Sequence, residues 1–310
     1  MLKFQYMIDQ LYRLPKGKIK EIIRMGGPFV VRKMNIEKKR MEKFSESLRI
    51  VPPSHLSPQS LKVNFLTGSR FWFQTIFCMY SLQKHCPEAI QFVVFDDGSF
   101  TDALVEQMKI QVPGIKIHRS SDIELKLKTL LPESEFPYLN HKRKVYPHIK
   151  KLIDIHAGNS GWNLVADSDM LFLRNPEFLL TWFKNPVSPF YISDKINAYG
   201  FPLEKMDKVS GKKTPEKVNV GLVALKSETI NWHDVERWAR ELEEGTLGSY
   251  YLEQALTAMI LAGQNSVIGP ESDYIVMPTS MQVQSGTGVL HHFVDSSKPD
   301  YFIHSWKKFF

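Results

Sequence analysis

The sequence predicts an α/β fold built on a largely parallel sheet, and three observations carry that expectation. From Leu61 onward, short apolar runs alternate with amphipathic helical stretches. Three of the runs end in polar clusters: Thr67-Gly68-Ser69, Asp96-Asp97, and Asp167-Ser168-Asp169. In open α/β sheets ligands gather at the carboxyl ends of the strands, so these clusters are expected to meet in one crevice.

The elements follow in order. Lys62 to Thr67 reads as a first strand and Phe71 to Lys84 as an amphipathic helix. Gln91 to Phe95 gives a second strand ending at Asp96-Asp97-Gly98-Ser99, Thr101 to Lys109 a helix, and Ile115 to Ile117 a third strand. Val145, Ile149, Leu152 and Ile153 define one longer helix leading into the strand Asn163-Leu164-Val165-Ala166. The second half is mixed. It holds a strand at Val218–Leu225, helices near Trp232–Leu242 and Leu252–Leu261, and a strand at Val289–Val294 carrying His291 and His292.

Charge separates a second region from this one. The chain has 310 residues, is 43% hydrophobic and carries a formal net charge of +7. Residues 1–50 hold 13 Lys and Arg against 5 Asp and Glu, which leaves the remainder close to neutral. Phe4, Met7, Ile8, Leu11 and Leu14 fall at helical spacing. Apolar residues continue at Ile19, Ile22 and Ile23 after a break at Pro15-Lys16-Gly17, and at Phe29, Val30, Val31 and Met34 after Gly26-Gly27-Pro28. Residues 1–50 are therefore expected to be a basic amphipathic helical segment, 51–60 a Pro- and Ser-containing linker, and 61–310 the main domain. Such a helix fits an anionic membrane surface, or an appendage docked on the domain or on a partner chain. No recognition module accompanies the charge, so nucleic acid is not an expected partner. No stretch is apolar enough to cross a membrane, no secretory leader is evident, and Cys78 and Cys86 do not form a zinc or disulfide pattern. The expected location is cytoplasmic, peripheral at the cytoplasmic face of a membrane where the N-terminal segment engages it.

Asp167 and Asp169 carry the chemistry. Core-type residues flank them on both sides, Asn163–Ala166 before and Met170–Leu173 after. Carboxylates so near a core are costly unless paired, hydrogen-bonded or metal-bound. At i and i+2 on an extended segment both point the same way and can share one hard cation such as Mg²⁺ or Mn²⁺. A calcium loop is excluded because the twelfth position from Asp167 is Phe178. A haloacid dehalogenase-type phosphatase needs Thr or Val where Leu171 stands, and a sugar-nucleotide pyrophosphorylase needs more glycine than Leu66-Thr67-Gly68-Ser69-Arg70-Phe71 offers.

Taken together the motifs resemble nucleotide-sugar glycosyltransferases of the GT-A fold, most closely the family 8-like group that contains glycogenin. The resemblance covers roughly residues 61–307. It implies a Rossmann-like nucleotide-diphospho-sugar transferase: a mixed sheet flanked by helices, here with the basic helical appendage at the N-terminus. It places Thr67, Gly68 and Phe71 on the loop that receives the nucleotide base, where the family commonly has an acid and a tyrosine and this chain has Ser69 and Phe71. Asp96 and Asp97 fall beside the nucleotide, and Lys144 where a basic residue faces the donor. Asp167-Ser168-Asp169 matches the DxD motif, Asn219-Val220-Gly221 the N-x-G strand, and Glu253-Gln254 the acid–glutamine pair near the reacting centre. His292 to Pro299 matches the terminal H-x5-K-P stretch, with Asp295 standing at a position that is usually glycine.

In that family the two aspartates and the histidine ligate the metal, which here assigns Asp167, Asp169 and His292. Imidazole in the set favours Mn²⁺ over Mg²⁺. Lys298 is assigned to the diphosphate, and His304 is a packed alternative to His292. The implied activity is metal-dependent transfer of a sugar, from UDP-sugar by analogy and with retention, to a glycan or lipid-linked acceptor. The alternative is a catalytically inactive GT-A-like scaffold or membrane-surface protein.

Overall fold

A computed structural model describes residues 14–52, 55–57, 60–246 and 248–310. Two sheets organise the chain. The larger is assembled from β1 (Lys62–Thr67), β2 (Gln91–Asp96), β3 (Lys116–His118), β4 (Trp162–Ala166), β6 (Phe190–Ser193), β7 (Val218–Lys226) and β8 (Val267–Gly269), in the order β3-β2-β1-β4-β7-β6-β8. β1 pairs in parallel with β2 and β4, whereas β7 runs antiparallel to both β4 and β6. The smaller sheet is β5 (Met170–Phe172), β9 (Tyr274–Val276) and β10 (Leu290–His292), with β10 central.

Helices cover both faces of the larger sheet. β2, β4 and β7 are accordingly almost continuously buried rather than alternating, as expected of strands covered on two sides. One face packs α2 (Pro28–Ser45), α3 (Trp72–His85), α4 (Asp102–Gln111) and the smaller sheet around Met41, Phe65, Phe77, Phe172 and Phe293. The other packs α5 (Ser120–Leu130), α6 (Pro137–Val145), α7 (Ile149–His156), α9 (Leu203–Ser210), α10 (Trp232–Glu243) and α11 (Leu252–Leu261) around Ile149, Val223, Trp238 and Leu256. α8 (Glu177–Lys184), α12 (Ser280–Ser285) and α13 (Lys298–Ile303) complete the set, preceded by α1 (Leu14–Arg24).

Two sequence expectations meet a different outcome. The single helix drawn through Val145 and Ile149 is two, α6 and α7, separated at Tyr146-Pro147-His148. A proline lacks the backbone N–H that would continue the ladder, and Val145 is left exposed at the end of α6. Conversely, α1 runs through Pro15-Lys16-Gly17, where a break was expected, because proline is tolerated in a first turn. The break expected at Gly26-Gly27 is present, with φ of 92° and 95°. Phe4, Met7, Ile8 and Leu11 lie outside the described residues.

Of the readings open for the segment 1–50, the described residues show docking on the domain. Met41, Leu48 and Ile50 belong to the same apolar core as the sheet, Ile50 N–H bonds Gln111 O at 2.7 Å, and the Gln111 side chain donates to Ser45 O. Glu37 is buried between Lys307, at 2.6 Å, and Arg40, at 2.8 Å. α2 is thus packed into the main body, while Ile19, Ile23, Phe29 and Ile36 stay exposed on the outer side of the two N-terminal helices. Of the 51–60 stretch, Val51 and Leu56 are exposed.

Met41→Ala is expected to cost about 2–5 kcal/mol by opening a cavity between α2 and the sheet, read as a lower denaturant midpoint at unchanged m-value.

Candidate active site

Five strand ends converge on one crevice. β1, β2, β4 and β6 deliver their carboxyl ends to one edge of the sheet, and antiparallel β7 begins there with Val218-Asn219. β5 follows Asp169 at once, and its pairing with β10 sets His292 opposite Met170, with Phe293 N–H bonded to Asp169 O at 2.8 Å. A histidine far along the chain thereby reaches the two aspartates.

Asp167, Asp169 and His292 offer ligand atoms that lie within 4.8 Å of one another. His292 Nε2 is 3.3 Å from Asp169 Oδ1 and 3.6 Å from Asp167 Oδ2, and it is buried without a hydrogen bond. Its other nitrogen, Nδ1, is 3.1 Å from Asn219 Oδ1. With Nδ1–H donating there, the Nε2 lone pair faces the carboxylates. This is the arrangement of a metal-ligating histidine held by an outer partner. Gly221 makes room for the ring: a Cβ at that position would stand 2.2 Å from His292 Cε1. His291, on the opposite face of β10, is occupied by Thr287 O at 2.6 Å, and His304 is exposed and outside the cluster rather than packed. The orphaned imidazole nitrogen, two carboxylates and a mixed N/O donor set fit a divalent cation such as Mn²⁺.

Asn219 belongs to a larger chain. Its amide donates to Asp194 Oδ2 at 3.0 Å, and Gln254 Nε2 donates to the same oxygen at 3.1 Å and to Val218 O at 2.9 Å. Both amide protons of Gln254 are thus turned inward, which leaves Oε1 as its free acceptor. Asp194 was not singled out from sequence. The available signal was its place directly after β6, a further acid at a strand end.

The basic residue beside the acids is Lys151, not Lys144. Lys144 is exposed and its ammonium lies 3.3 Å from Glu133. Lys151 Nζ, on the first turn of α7, lies 2.9 Å from Asp167 Oδ1, 3.1 Å from Val220 O and 3.7 Å from Glu253 Oε2. Its neighbour Lys150 donates to Asp97 O at 2.6 Å. The helix break at Pro147 is what aims this turn at the strand ends. Burial works against the charge on Lys151, but Asp167 and Glu253 outweigh it and hold its pKa well above the ordinary value. For Asp169 burial pushes upward; without a cation between them, an Nε2–H of His292 directed at its carboxylate, together with Lys298, outweighs that push, so its carboxyl stays below the usual range.

Glu253 sits behind Lys151 and is 6% exposed. Burial raises its pKa to about 7, with Lys151 opposing the shift and Asp167 adding to it. Lys298 Nζ stands 4.0 Å from Asp169 Oδ2 on the open side of the cluster. The Asp295 backbone preceding it has a φ of 50°, in the left-handed region that favours glycine, and its carboxylate pairs with Arg24 at 2.8 Å.

The remaining predicted residues divide between lining and scaffold. Thr67 is buried and linked through the Thr75 hydroxyl to Ser168, by contacts of 2.9 and 2.8 Å. Gly68 permits close approach of Asp97, whose Oδ2 would lie 2.0 Å from an added Cβ. Asp97 Oδ1 accepts from Ser99 N–H and Oγ–H. Asp96 is buried, with Oδ1 accepting from Gly98 and Phe100 N–H and Oδ2 3.3 Å from Arg119 Nε. It folds its own loop. Phe71, at the start of α3, is exposed rather than a core residue. Tyr250, 66% exposed, and His148 form an aromatic rim, their ring centroids 4.8 Å apart.

No protein-family model matches the chain, and no curated protein matches it in sequence. Solved structures do. The mouse xyloside xylosyltransferase 1 apo form matches over 75% of this chain and 97% of its own, at 11% identity and a TM-score of 0.50. The galactosyltransferase LgtC, in complex with donor and acceptor sugar analogues, matches over 80% and 94%, at 15% identity and a TM-score of 0.52. The bifunctional glycosyltransferase WbbM matches over 84% of this chain and 51% of its own, at 10% identity and a TM-score of 0.50. The fold is therefore the GT-A glycosyltransferase fold.

A carboxyl whose pKa is raised from 4.5 to about 7 favours folding while protonated. It penalises the folded state progressively as pH climbs from 4.5 through 7, by about 3 kcal/mol once ionised. In chelator, Glu253→Gln is expected to melt higher than the parent at pH 8, with the difference shrinking toward pH 5. Parallel melting curves across that range would refute the assignment.

Proposed function

We propose that the protein transfers a sugar from a nucleotide-diphosphate sugar to an acceptor hydroxyl. On the combination of DxD, N-x-G, Glu-Gln and H-x5-K-P segments we place it with the family 8-like, glycogenin-related glycosyltransferases. The observation that carries the reading is the buried, unbonded Nε2 of His292 facing Asp167 and Asp169.

Asp167, Asp169 and His292 would hold Mn²⁺ or Mg²⁺, which when bound supplies positive charge to a diphosphate leaving group. The protein's own groups do the rest. Lys151 fixes the orientation of Asp167 and offsets part of the acidic charge. Lys298, 42% exposed, is free to turn its ammonium to the diphosphate. Thr67, Gly68, Asp97 and Ser168 line the donor side, and Phe71 offers an exposed ring for the base, UDP by analogy. Asp96 supports the loop that positions them. Gln254, its amide nitrogen tied to Asp194 and Val218 O, presents Oε1 to the sugar as positive charge builds at the anomeric carbon. Glu253 stands behind it and sets the charge of the pocket through Lys151. Retention follows if the acceptor hydroxyl approaches on the face that the diphosphate leaves, with the bound substrates excluding water.

The acceptor reading is a glycan or a lipid-linked glycan. No helix among the described residues is long and apolar enough to cross a membrane. The outer side of α1 and α2 supports peripheral contact instead, because Ile23 and Phe29 are 69% and 84% exposed among Lys18, Lys20, Arg32 and Lys33. The location proposed with it is cytoplasmic, peripheral at the cytoplasmic face of a membrane.

A thermal-shift panel of UDP-, GDP- and CDP-sugars with and without Mn²⁺ tests the reaction class. One nucleotide is expected to raise the melting temperature by roughly 5 °C at a hundredfold excess over Kd, only with metal. Asp167→Ala and Asp169→Ala should abolish the rise, and a rise that persists in either variant would sink the metal-centred reading. For the membrane contact, co-sedimentation with phosphatidylglycerol-containing vesicles is expected to drop in Ile23→Glu/Phe29→Glu. Equal binding by parent and variant would remove the helices from the contact.

A further inference from the structure

Lys38 is a cation that sugar transfer, as proposed above, does not use. It projects from the inward side of α2, half-buried, with Nζ 5.6 Å from the Phe302 ring centroid and 5.9 Å from that of Phe73. Phe302 belongs to α13, whose first residue is Lys298, and Phe73 lies on the first turn of α3, three positions after Arg70. Lys38 therefore sits where three elements meet at the edge of the crevice. Arg70 is exposed, and its guanidinium lies 5.7 Å from the ring of Phe71.

Among the described residues, neither Lys38 nor Arg70 has a carboxylate within ion-pair distance. Burial lowers the Lys38 pKa first. The charges of Arg70 and Lys298 lower it further, with Glu42 opposing them. A half-buried ammonium with no carboxylate partner is unfavourable unless an anion shares its charge. In the proposed reaction the donor diphosphate engages Lys298 and the metal ligands, which leaves Lys38 and Arg70 uncompensated. The phenyl rings shield Lys38 from water and strengthen any charge-assisted hydrogen bond it makes.

We propose that Lys38 and Arg70 form a second phosphoryl-binding subsite, separate from the donor diphosphate, that takes a phosphate or diphosphate group on the acceptor. This deepens the glycosyltransferase reading and rests on it for the word acceptor. An acceptor carrying a phosphoryl group next to its first sugar would present the reacting hydroxyl to the crevice while its charged end lies along α2. The outward side of the same helix carries the exposed apolar residues.

The probe is inorganic pyrophosphate, titrated calorimetrically into the full chain with UDP and Mn²⁺ saturating. The parent is expected to bind it. Lys38→Met, which keeps the packing against Phe73 and Phe302, and Arg70→Gln should each weaken it about tenfold, the loss of one charge-assisted hydrogen bond. UDP affinity in Lys38→Met should stay within about twofold of the parent, because its ammonium is outside the donor contacts. A second arm measures binding to vesicles of equal parts phosphatidylcholine and phosphatidylglycerol. Losses confined to the vesicle arm would assign the phosphate to bilayer headgroups and overturn the acceptor role. Pyrophosphate binding that is absent in the parent, or unmoved by both variants while UDP still binds, would overturn the subsite alone. Failure of UDP to bind, with pyrophosphate still sensitive to Lys38 and Arg70, would instead strike the sugar-transfer reading and leave the subsite standing.

Discussion

The site depends on keeping one correctly turned imidazole beside two carboxylates. Asn219 does this from below: its carbonyl takes the Nδ1 proton, and its amide is anchored on Asp194. Gly221, one residue-pair along the same strand, leaves the volume that the ring fills. The same Asn219 oxygen accepts from Gly221 N–H at 2.9 Å, so the backbone and the imidazole share one acceptor. A strand written Asn-x-Gly is thus both the holder and the hollow. Neither residue could change without moving the histidine.

Charge is the second constraint. Asp167, Asp169 and Glu253 crowd a volume with Lys151 as the buried cation among them. Lys151 touches Asp167 and approaches Glu253 at once, so it links the metal-side acids to the pair on α11. Burial raises Glu253 against the pull of Lys151, whereas at Asp169 the upward push of burial is outweighed by His292 and Lys298.

Much of this was legible in the sequence because the folding rules involved are local. Strand–helix alternation and polar strand ends identified β1, β2, β4, α11 and the crevice they form. Apolar flanks around Asp167 and Asp169 marked the acids as held near a core. The family resemblance points to Lys144, at the end of α6, because Lys151 comes within reach of the acids only through the turn that separates α6 from α7. The helix break at Pro147 that re-aims α7 is a single-residue event. Asp194 was missed because its partners, Asn219 and Gln254, are brought to it only by the β6–β7 pairing and the packing of α11. The segment 1–50 read as an appendage because charge dominates its composition. Met41, Leu48 and Ile50 are few, and burial of so sparse a set shows only in three dimensions.

Arg24 and Asp295 join the end of α1 to the loop that precedes Lys298, and α2 packs against α13 and α3. The N-terminal helices are consequently a rigid outrigger rather than a tether. A molecule resting on their outer flank would hold its crevice at one set height and tilt above the support, so reach, not diffusion at the end of a leash, would select which hydroxyls come within range.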